Sequence, residues 1–365
     1  MNMRILHFGS NYLPNKGGNV VRMVHMLENN KHSDMDIYIM TTAQGKDFDD
    51  NKYYLKTGIK IIRINSLNEA KTLLPVIVTK YKINIVVTHI IPANIIACRY
   101  LPKDIKIMTE IHSLIDSGKL KNMGKALLHK VWLNRRTSKY FVLSKTAGKY
   151  IEKNYGVKKE KIVFLPNGCN VPEYGMKKGN PKYVTFGYAG TFYKWQGIEI
   201  LYNNIDKILN LADNIRIILI GGGELEEEFK VLASKYEGRL VVTGLIPQEE
   251  VENYMKEIDI LMIPRPSTLE TETAIPLKIF DSVEYGKPVI ISDVKGLTEV
   301  LSEKEAFVFK AGDSQGLVNI CNRAYNHPEE CEKRFLEAYK KISLWPSWTD
   351  IQTIQYNAFI EDLKC

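Results

Sequence analysis

Segments typical of buried strands alternate with segments typical of helices along the whole sequence, and this alternation limits the fold more than any single motif does. Residues 37–40 and 59–64 are short apolar runs, whereas the segment beginning at Val20 has apolar residues at helical spacing. Strands that alternate with helices are typical of an α/β protein, in which each helix connects two parallel strands. We therefore predict parallel sheets that are covered by helices.

The alternation starts a second time after a stretch that is rich in proline and glycine. This stretch contains Asn167, Gly168, Pro172, Gly175, Gly179 and Pro181. Because such residues favour loops, we place a domain boundary here, before the strand-like run at Val184. A length of 365 residues suits two domains, and we predict doubly wound domains at residues 1–170 and 181–346. A last helical pattern follows Pro346.

The most specific local pattern covers residues 274–292 and predicts a loop, a helix, a tight turn and a buried strand in succession. Pro276 suits the first turn of a helix, where its missing N–H costs nothing, and Gly286 suits the helix end. A loop that leads into a helix N-terminus can bind an anion, because unpaired N–H groups point outward there. Lys278 lies in this first turn, where the helix dipole disfavours a cation, and so we expect an anion nearby.

Cysteine usage and the N-terminal residues indicate a cytoplasmic protein with reduced thiols. The five cysteines have no C-x-x-C spacing, which argues against a zinc site and against a disulfide framework. Residues 3–8 are too short, and too soon followed by Gly9, to form a signal peptide. No apolar run approaches the roughly 18 residues of a membrane span.

The net charge of +8 is unevenly distributed. Residues 119–161 carry thirteen lysines and arginines against two acidic residues, Glu152 and Glu160. Such a block suits an anionic membrane surface, an acidic substrate or nucleic acid, and it is equally typical of a solvated helical face. Because no nucleic-acid-binding motif accompanies it, we expect no nucleic-acid partner.

The run Pro-Leu-Lys-Ile-Phe-Asp, followed after four residues by Gly-Lys-Pro-Val, resembles the donor-binding helix of the family 4 retaining glycosyltransferases. The resemblance extends over most of the chain. It implies the GT-B fold, in which two Rossmann-like domains face a cleft, the first binding the acceptor and the second the nucleotide-diphosphate sugar. It also implies that a helix at residues 347–365 packs back on the first domain.

Glycine-containing loops resemble the loops that contact the donor in this family. Glycines after the first strand let a backbone approach a phosphate closely, although an ordinary strand-to-helix loop often carries them too. Another such loop opens the second domain, one is a Gly-Gly-Gly turn, and one resembles the loop that meets the nucleobase. The residues that the resemblance assigns to donor binding in these loops are Gly17, Gly18, Gly190, Thr191, Gly222 and Leu245.

The cations near the expected diphosphate depart from the family pattern. Family members often carry an arginine and a lysine where this chain has Thr191 and Gln196. We interpret Lys194, Arg265 and Lys278 as sharing that role, because cations stabilise a leaving group that gains negative charge. The alternative for Lys194 and Arg265 is an ordinary surface position.

The carboxylates depart from the family pattern as well, since the family commonly has two glutamates eight positions apart. Asp281 stands at the second position, where it can accept hydrogen bonds from ribose hydroxyls, and Thr273 stands at the first. Glu272 or Glu270 can replace the missing glutamate if the loop register shifts; the alternative for Glu272 is a solvated loop acid. The other donor contacts that the resemblance implies are Ala274, Ile275, Pro276 and Leu277.

His112 follows the strand-like residues 105–110, where the family often has a histidine that faces the donor sugar. An imidazole there can bind a sugar hydroxyl or the departing oxygen, so we predict His112, Arg265 and Lys278 as catalytic residues. His89 ends the preceding strand, and histidines at strand ends are often merely structural. Neither histidine has metal-ligand spacing to a cysteine or aspartate, and we expect no metal.

Taken together, these features predict a glycosyltransferase that moves a sugar from a nucleotide-diphosphate sugar to a glycan or lipid-linked acceptor, with retention at the anomeric carbon, in surface polysaccharide synthesis. The residues do not distinguish UDP from GDP, and we expect no cofactor beyond the nucleotide sugar. The alternatives are a GT-B nucleotide-sugar 2-epimerase and a binding protein that has kept the fold but lost turnover.

Residues 114–161 are the segment in which we expect contact with an anionic membrane, at the inner face of the plasma membrane. Leu120, Met123 and Leu127 recur there at helical spacing among several lysines. A lipid-linked acceptor would require such contact. The alternative is that this apolar face packs on the core of its own domain.

Overall fold

A computed structural model of the protein describes residues 3–15, 17–28, 32, 34–46, 48–177 and 179–364. The chain divides into two compact units. Unit 1 comprises residues 1–168 and 346–365, and unit 2 comprises residues 169–345. Each unit is built on one parallel sheet, which confirms the predicted α/β class.

The sheet of unit 1 has seven strands in the order β3-β2-β1-β4-β5-β6-β7. Its strands are β1 (Met3–Gly9), β2 (Met35–Thr41), β3 (Lys60–Arg63), β4 (Ile85–Thr88), β5 (Lys106–Ile111), β6 (Thr137–Val142) and β7 (Ile162–Phe164). Its helices are α1 (Gly18–Leu27), α2 (Asp50–Thr57), α3 (Ala70–Tyr81), α4 (Ile91–Tyr100), α5 (Lys119–Leu128), α6 (Asn134–Arg136), α7 (Lys145–Tyr155) and α17 (Trp348–Lys364). Every residue of the central strand β4 is buried, which is why three of its four residues are apolar and the hydroxyl of Thr88 is hydrogen-bonded.

Helix α17 belongs to unit 1 although it follows unit 2 in the sequence. The Trp348 ring stacks on His25 with the ring centroids 4.6 Å apart, and the Gln352 amide donates a 2.8 Å hydrogen bond to the carbonyl of His25. Phe359 lies edge-on to Phe141 of β6, with the ring centroids 6.0 Å apart. The last helix is therefore held on unit 1 by apolar and polar contacts together.

The sheet of unit 2 has six strands in the order β10-β9-β8-β11-β12-β13. Its strands are β8 (Val184–Ala189), β9 (Ile215–Ile220), β10 (Leu240–Val242), β11 (Ile260–Ile263), β12 (Val289–Ser292) and β13 (Phe307–Phe309). Its helices are α8 (Ile198–Tyr202), α9 (Ile205–Leu209), α10 (Glu226–Ala233), α11 (Gln248–Glu257), α12 (Leu269–Thr273), α13 (Lys278–Glu284), α14 (Lys295–Thr298), α15 (Ser314–Asn326) and α16 (Pro328–Ile342).

Alternate residues of the strands in unit 2 belong to two separate apolar clusters, one on each face of the sheet. Ile217 and Leu219 of β9 belong to one cluster, whereas Ile218 and Ile220 belong to the other. Because both faces are covered, the strands contain apolar residues in succession. In each sheet the strand order reverses beside the first strand, between β1 and β4 and between β8 and β11. Ligands of open α/β sheets bind beyond the carboxyl ends of the strands at such a point.

Two predicted helices differ from those in the structure. The apolar spacing of residues 198–211 predicts one helix. The structure has two helices there, α8 and α9, because Asn204 has a non-helical backbone and its amide donates to the carbonyl of Ile200 at 2.8 Å. Helix α13 begins at Lys278, two residues after Pro276. None of the described helices is both long enough and apolar enough to cross a membrane.

Candidate functional site

Lys278 of α13 reaches the carboxyl end of β8 because Gly190 leaves room for it. A Cβ atom at Gly190 would lie 2.6 Å from Lys278 Nζ and 3.3 Å from the hydroxyl oxygen of Tyr188. Gly190 also has a φ of 146°, which side-chain-bearing residues rarely adopt. Glycine at this position is therefore required by the backbone and by the lysine together.

The ammonium group of Lys278 is held by neutral groups. It donates to Gln196 Oε1 at 3.2 Å and to the Tyr188 hydroxyl at 3.4 Å, and it lies 4.6 Å from the centroid of the Tyr188 ring. Burial, reinforced by the charge of Arg265 and opposed by Asp281, lowers the pKa of Lys278 to about 7. An ammonium in such surroundings is stabilised by an incoming anion.

Arg265 follows β11 and is a second cation, which is more deeply buried than Lys278, with 3% of its surface exposed. Its Nη1 donates to the carbonyl of Ala274 at 3.1 Å, and its guanidinium carbon lies 5.8 Å from the centroid of the Trp195 ring. Its Nε is buried and has no hydrogen-bond partner in the described part of the chain. Burial lowers the pKa of Arg265 to about 10, which leaves it charged at neutral pH. Arg265 is therefore not an ordinary surface residue, which was the alternative that the sequence left open for it.

The Gly-Gly-Gly turn after β9 lies against the loop that follows β8. Gly222 accepts a hydrogen bond from the backbone N–H of Phe192 at 2.9 Å, and Gly190 donates to the carbonyl of Ile220 at the same distance. A Cβ atom at Gly221 would overlap the carbonyl of Gly190. The glycines thus allow two backbones to approach closely, and this packing brings the ends of β8 and β9 together beside Lys278.

Asp281 lies one helical turn after Lys278 and lines a small pocket with it, together with Ala189 and Ile263. Burial raises the pKa of the Asp281 carboxyl to about 7, Glu284 adds to this rise, and Lys278 opposes it. The pKa of the Lys278 ammonium is thus lowered and that of the Asp281 carboxyl raised, so the two are shifted toward each other. Either group can change its charge when a charged ligand binds.

The loop before α13 is organised by the other acids and threonines that the sequence singled out. Glu272 accepts hydrogen bonds from the Ser267 hydroxyl at 2.7 Å and from the backbone N–H of Lys295 at 2.8 Å. Thr273 is buried, and its hydroxyl donates to the carbonyl of Leu269 at 2.6 Å. Both side chains thus hold the loop in place, and Glu272 is more than a solvated acid. Of the remaining predicted donor contacts in this loop, Ile275 is buried, whereas Ala274, Pro276 and Leu277 are partly exposed.

The structure does not bring every predicted donor-binding residue to Lys278. Lys194 is exposed and forms a 3.1 Å ion pair with Glu199. Thr191 contributes its backbone carbonyl, which accepts from the Tyr188 hydroxyl at 2.8 Å. Leu245 is 81% exposed in its loop.

Sequence reasoning missed Tyr188 and Trp195, the aromatic partners of the two cations. Tyr188 stands in an apolar strand and no sequence signal separates it from an ordinary core residue. For Trp195 the sequence offered one signal, a large aromatic residue next to Lys194 in a predicted loop. In the structure Trp195 is 42% exposed.

In unit 1, the glycine loop before α1 is open. Gly17 is the residue that precedes the helix, and Gly18 would have no neighbour within 4 Å of an added Cβ. Packing in the described residues therefore does not require glycine at position 18. Lys16 of the same loop lies outside the described residues.

His112 is the last of three histidines that are joined by hydrogen bonds. Nδ1 of His7 lies 3.0 Å from Nε2 of His89, and Nδ1 of His89 lies 3.0 Å from Nε2 of His112. Burial lowers the pKa of His7 and of His89 to about 3, and it lowers the pKa of His112 as well. All three rings are therefore neutral at neutral pH, and His89 is more than a strand-end histidine.

Glu110 and Arg22 form a buried ion pair beside these histidines. Arg22 Nε donates to Glu110 Oε1 at 2.6 Å, and the same oxygen lies 3.8 Å from Nε2 of His112. Burial alone would raise the pKa of the Glu110 carboxyl, but Arg22 and the neighbouring histidines bring it below its ordinary value. A carboxylate charge thus lies close to His112 at neutral pH.

His89, Glu110 and His112 also meet the geometric requirement for a metal site, since their ligand atoms lie within 4.8 Å of one another. Two features oppose a metal here. The Glu110 oxygen already binds Arg22, whose positive charge would repel a metal cation, and the two histidine nitrogens are already hydrogen-bonded to each other. The absence of a metal stays a prediction.

Comparison with known families identifies both halves of the chain. Residues 17–172 match the family described as Glycosyltransferase Family 4, and residues 183–327 match the family described as Glycosyl transferases group 1. The two matches lie in unit 1 and unit 2 respectively, apart from the first residues of unit 2, and together they cover most of the chain.

Two curated relatives match part of the chain. The amylovoran biosynthesis glycosyltransferase AmsK of Erwinia amylovora is 28% identical over 109 residues, which make up 29% of this chain and 27% of AmsK. The glycogen synthase of Lactococcus lactis is 25% identical over 179 residues, which make up 46% of this chain and 36% of that protein. The chain therefore spans well under half the length of either relative.

Solved structures match the whole chain. The structure of HepE from Anabaena in complex with UDP has a TM-score of 0.77 and 15% sequence identity, and the match covers 98% of this chain and 100% of HepE. The structure of the same protein in complex with UDP-glucose has a TM-score of 0.76. Because the sequence identity is only 15%, this structural similarity is evidence for the fold of the chain alone.

Proposed function

This chain belongs to the family 4 (group 1) glycosyltransferases and has their GT-B fold, and from this premise we propose that it transfers a sugar from a nucleotide-diphosphate sugar to a glycan or lipid-linked acceptor. The observation that carries the proposal is a pair of cations, the buried Arg265 and the half-buried Lys278, at the carboxyl ends of the strands where the strand order of unit 2 reverses. Their partners are neutral, so a diphosphate is the natural counter-ion.

The proposed reaction uses these cations in the step that breaks the glycosidic bond. The diphosphate gains negative charge as it leaves, and fixed cations stabilise that charge more than they stabilise the bound donor. Asp281 is proposed to accept hydrogen bonds from the ribose hydroxyls. The HepE complexes with UDP and UDP-glucose support a nucleotide sugar as the donor. UDP and GDP are both candidates for this chain.

Retention of configuration is the second part of the proposal. In the proposed step the departing phosphate takes the proton of the acceptor hydroxyl on the same face of the sugar. No separate general base is then required. The resemblance of residues 276–289 to retaining enzymes supports this part.

The acceptor is proposed to be a growing polysaccharide or its lipid-linked precursor. The name of AmsK refers to the biosynthesis of such a polymer, amylovoran. Helix α5 supports contact with a membrane, because none of its residues is buried. Leu120 is 83% exposed, Met123 60% and Leu127 62%, and they lie among exposed lysines. An exposed apolar stripe among cations is typical of a helix that lies at an anionic membrane surface.

A panel of nucleotide sugars tests the donor. A ligand at 100 times its dissociation constant stabilises a protein by about 2.7 kcal/mol, which a thermal shift detects. We expect one UDP- or GDP-sugar to raise the melting temperature. Release of its nucleotide should then depend on an added acceptor, and the product should keep the anomeric configuration of the donor by NMR.

Other outcomes identify the alternatives. Acceptor-independent nucleotide release with a 2-epimer as product would indicate the epimerase. Binding without any turnover would indicate a degenerate binding protein, for which the departures at Thr191, Gln196 and Thr273 are the motive. An inverted product would overturn the proposal of retention.

A further inference from the structure

Three adjacent strands bring the histidines of unit 1 into one row. His7 lies in β1, His89 follows β4, and His112 follows β5, and these strands are neighbours in the order β1-β4-β5. The His7 and His89 rings lie 5.3 Å apart between centroids, as do the His89 and His112 rings. The row is thus a continuous hydrogen-bonded chain that ends at His112.

The N–H groups in this chain must all point the same way. A neutral imidazole carries one N–H and one lone pair, so a ring that accepts at one nitrogen donates at the other. If His112 donates from Nε2 to His89, then His89 donates from Nε2 to His7. If His7 donates instead, both hydrogen bonds reverse and His112 carries its proton on Nδ1. Only these two arrangements satisfy both 3.0 Å contacts.

Glu110 distinguishes the two arrangements. Its Oε1 lies 3.8 Å from Nε2 of His112. A proton on Nε2, donated to His89, puts partial positive charge on the nitrogen that lies near this carboxylate, whereas the reverse arrangement puts a lone pair there. Arg22 weakens this preference without reversing it, because its charge acts on His112 less than the charge of Glu110 does.

This direction leaves a lone pair on Nδ1 of His112. That nitrogen is buried and has no hydrogen-bond partner in the described part of the chain, so a ligand reaches it only if the neighbouring groups move. An unprotonated nitrogen can accept a hydrogen bond but cannot donate one. Its natural partner is an O–H group, and sugars are the ligands that offer many.

We propose that His7 and His89 are positioning residues, which with Glu110 hold His112 as the Nε2–H tautomer so that its Nδ1 accepts a hydrogen bond from a sugar hydroxyl. Only one part of this proposal, that the partner of Nδ1 is a sugar hydroxyl, rests on the proposed function. The tautomer rests on the geometry of unit 1 alone. The competing explanations are rings that merely fill space and a metal held by His89, Glu110 and His112.

The ring nitrogens can be observed directly in the full-length protein labelled with ¹⁵N-histidine. Long-range ¹H–¹⁵N correlation spectra at pH 7 distinguish the Nε2–H tautomer from the Nδ1–H tautomer. We expect His7, His89 and His112 all to be Nε2–H, with downfield, slowly exchanging Nε2 protons on His89 and His112. Single His→Gln variants assign the signals. An Nδ1–H tautomer at His112 would overturn the proposal.

Two variants of His89 and one control separate positioning from packing. His89→Gln keeps an acceptor for His112, whereas His89→Phe keeps a ring but removes the acceptor. We expect the Nε2 proton of His112 to remain slowly exchanging in the first variant and to exchange fast in the second. His327→Gln is the control, because His327 is exposed and pairs with Glu329 in unit 2. Identical His112 spectra in both His89 variants would show that the rings only pack.

Activity and metal binding complete the test. With the donor identified by the panel, we expect His89→Phe to lose about tenfold in kcat/KM and His89→Gln to retain most of it, since one net hydrogen bond is at stake. Zn²⁺ titration should leave the histidine spectra unchanged, and stoichiometric Zn²⁺ binding at His89 and His112 would overturn the proposal. The spectra of the free protein need no substrate, so they test the tautomer independently of the reaction. If His112 is Nε2–H but no sugar is transferred, the proposed function is contradicted and the inference about the tautomer is not.

Discussion

At the scale of single residues, the notable feature of unit 2 is that two cations, the half-buried Lys278 and the buried Arg265, have neutral hydrogen-bond partners. Lys278 has an amide and a phenol as hydrogen-bond partners, and Nε of Arg265 has no partner among the residues that the structure describes. Cations that are withdrawn from water without a carboxylate as hydrogen-bond partner reduce the stability of a fold. Their retention is explained if a bound anion supplies the missing charge.

Lys278→Met tests this interpretation. We expect kcat to fall by about 10²–10³, as for the loss of one preorganised charged donor, because the methionine fills the same space without the charge. The variant should fold at least as well as the wild type at pH 6, where the buried ammonium is charged.

The matched control is Lys194→Met, in the same unit. Lys194 is exposed and pairs with Glu199, so we expect its replacement to change kcat less than threefold, a rough limit for a surface ion pair. Steady-state kinetics and thermal melts measure both variants. Equal losses of activity in the two would remove the special role of Lys278.

Asp281→Asn tests the pKa of the neighbouring carboxyl through protein stability. The folded-state pKa is raised from 3.8 to about 7, so the folded protein binds the proton more tightly than the unfolded chain does. Stability from this group is present below pH 3.8 and is lost as the pH rises to about 7. Asparagine cannot ionise, and we expect the wild type to lose stability relative to the variant across this window.

Urea unfolding at several pH values measures the difference. Asp213→Asn, at an exposed turn of the same unit, is the control and should show a smaller change with pH. A constant stability difference between the wild type and Asp281→Asn from pH 4 to 7 would contradict the raised pKa.

At the scale of elements, α5 differs from the helices that cover the sheets, since none of its residues is buried. The sequence left open whether its apolar residues pack on the core. Leu133 and Trp132, just after α5, do contact the core of unit 1, whereas Leu120 and Met123 are exposed. The apolar pattern therefore divides between the interior and the surface.

Reversing the charge of Lys119 and Lys121 together tests membrane contact by α5. Each cation near an anionic leaflet contributes about 1 kcal/mol, so Lys119→Glu with Lys121→Glu should weaken vesicle binding by at least about thirtyfold at low salt, since the new carboxylates also repel the leaflet. Vesicle sedimentation with anionic and neutral lipids measures this effect, and high salt should reduce the binding of the wild type.

The control changes the net charge equally in unit 2, by Lys235→Glu with Lys333→Glu, both at exposed positions. We expect it to bind anionic vesicles almost as the wild type does. Equal binding of the wild type to neutral and anionic vesicles, or an equal loss in the control, would count against the membrane surface, and a soluble acceptor would then be favoured.

At the scale of the whole molecule, the chain is two units with separate cores, and unit 1 is completed only by the C-terminal end of the chain. Helix α17 buries Trp348, Ile351 and Phe359 on unit 1. Removing a buried aromatic side chain alone costs about 3–5 kcal/mol, so the loss of the whole helix should exceed the stability of a typical domain of this size.

Fragments of the chain test this dependence. Residues 169–345 contain all of unit 2, and we expect a cooperative thermal transition by circular dichroism. Residues 1–168 lack α17, and we expect no cooperative transition until a peptide of residues 346–365 is added. Cooperative melting of residues 1–168 alone, near the temperature seen with the peptide, would show that α17 is dispensable.

The sequence by itself determined the α/β class, both parallel sheets and the glycosyltransferase family. These follow from short-range information: the spacing of apolar residues, the prolines and glycines that end elements, and the run from Pro276 to Val289. Such patterns act within one element and its turns, so they can be read without knowing what the element packs against. The prediction of a single helix at residues 198–211 was wrong, because the side chain of Asn204 competes with the backbone for the carbonyl of Ile200.

The tertiary structure alone decided the partners of the site residues. Lys278 meets Gln196 and Tyr188 across 82 and 90 positions of sequence, and His7 meets His89 across 82. These contacts depend on which strands are neighbours in a sheet, and a single sequence does not record that order. The burial that shifts the pKa of Lys278 and Asp281 has the same origin, because it comes from side chains supplied by distant strands and not from the residues next to them.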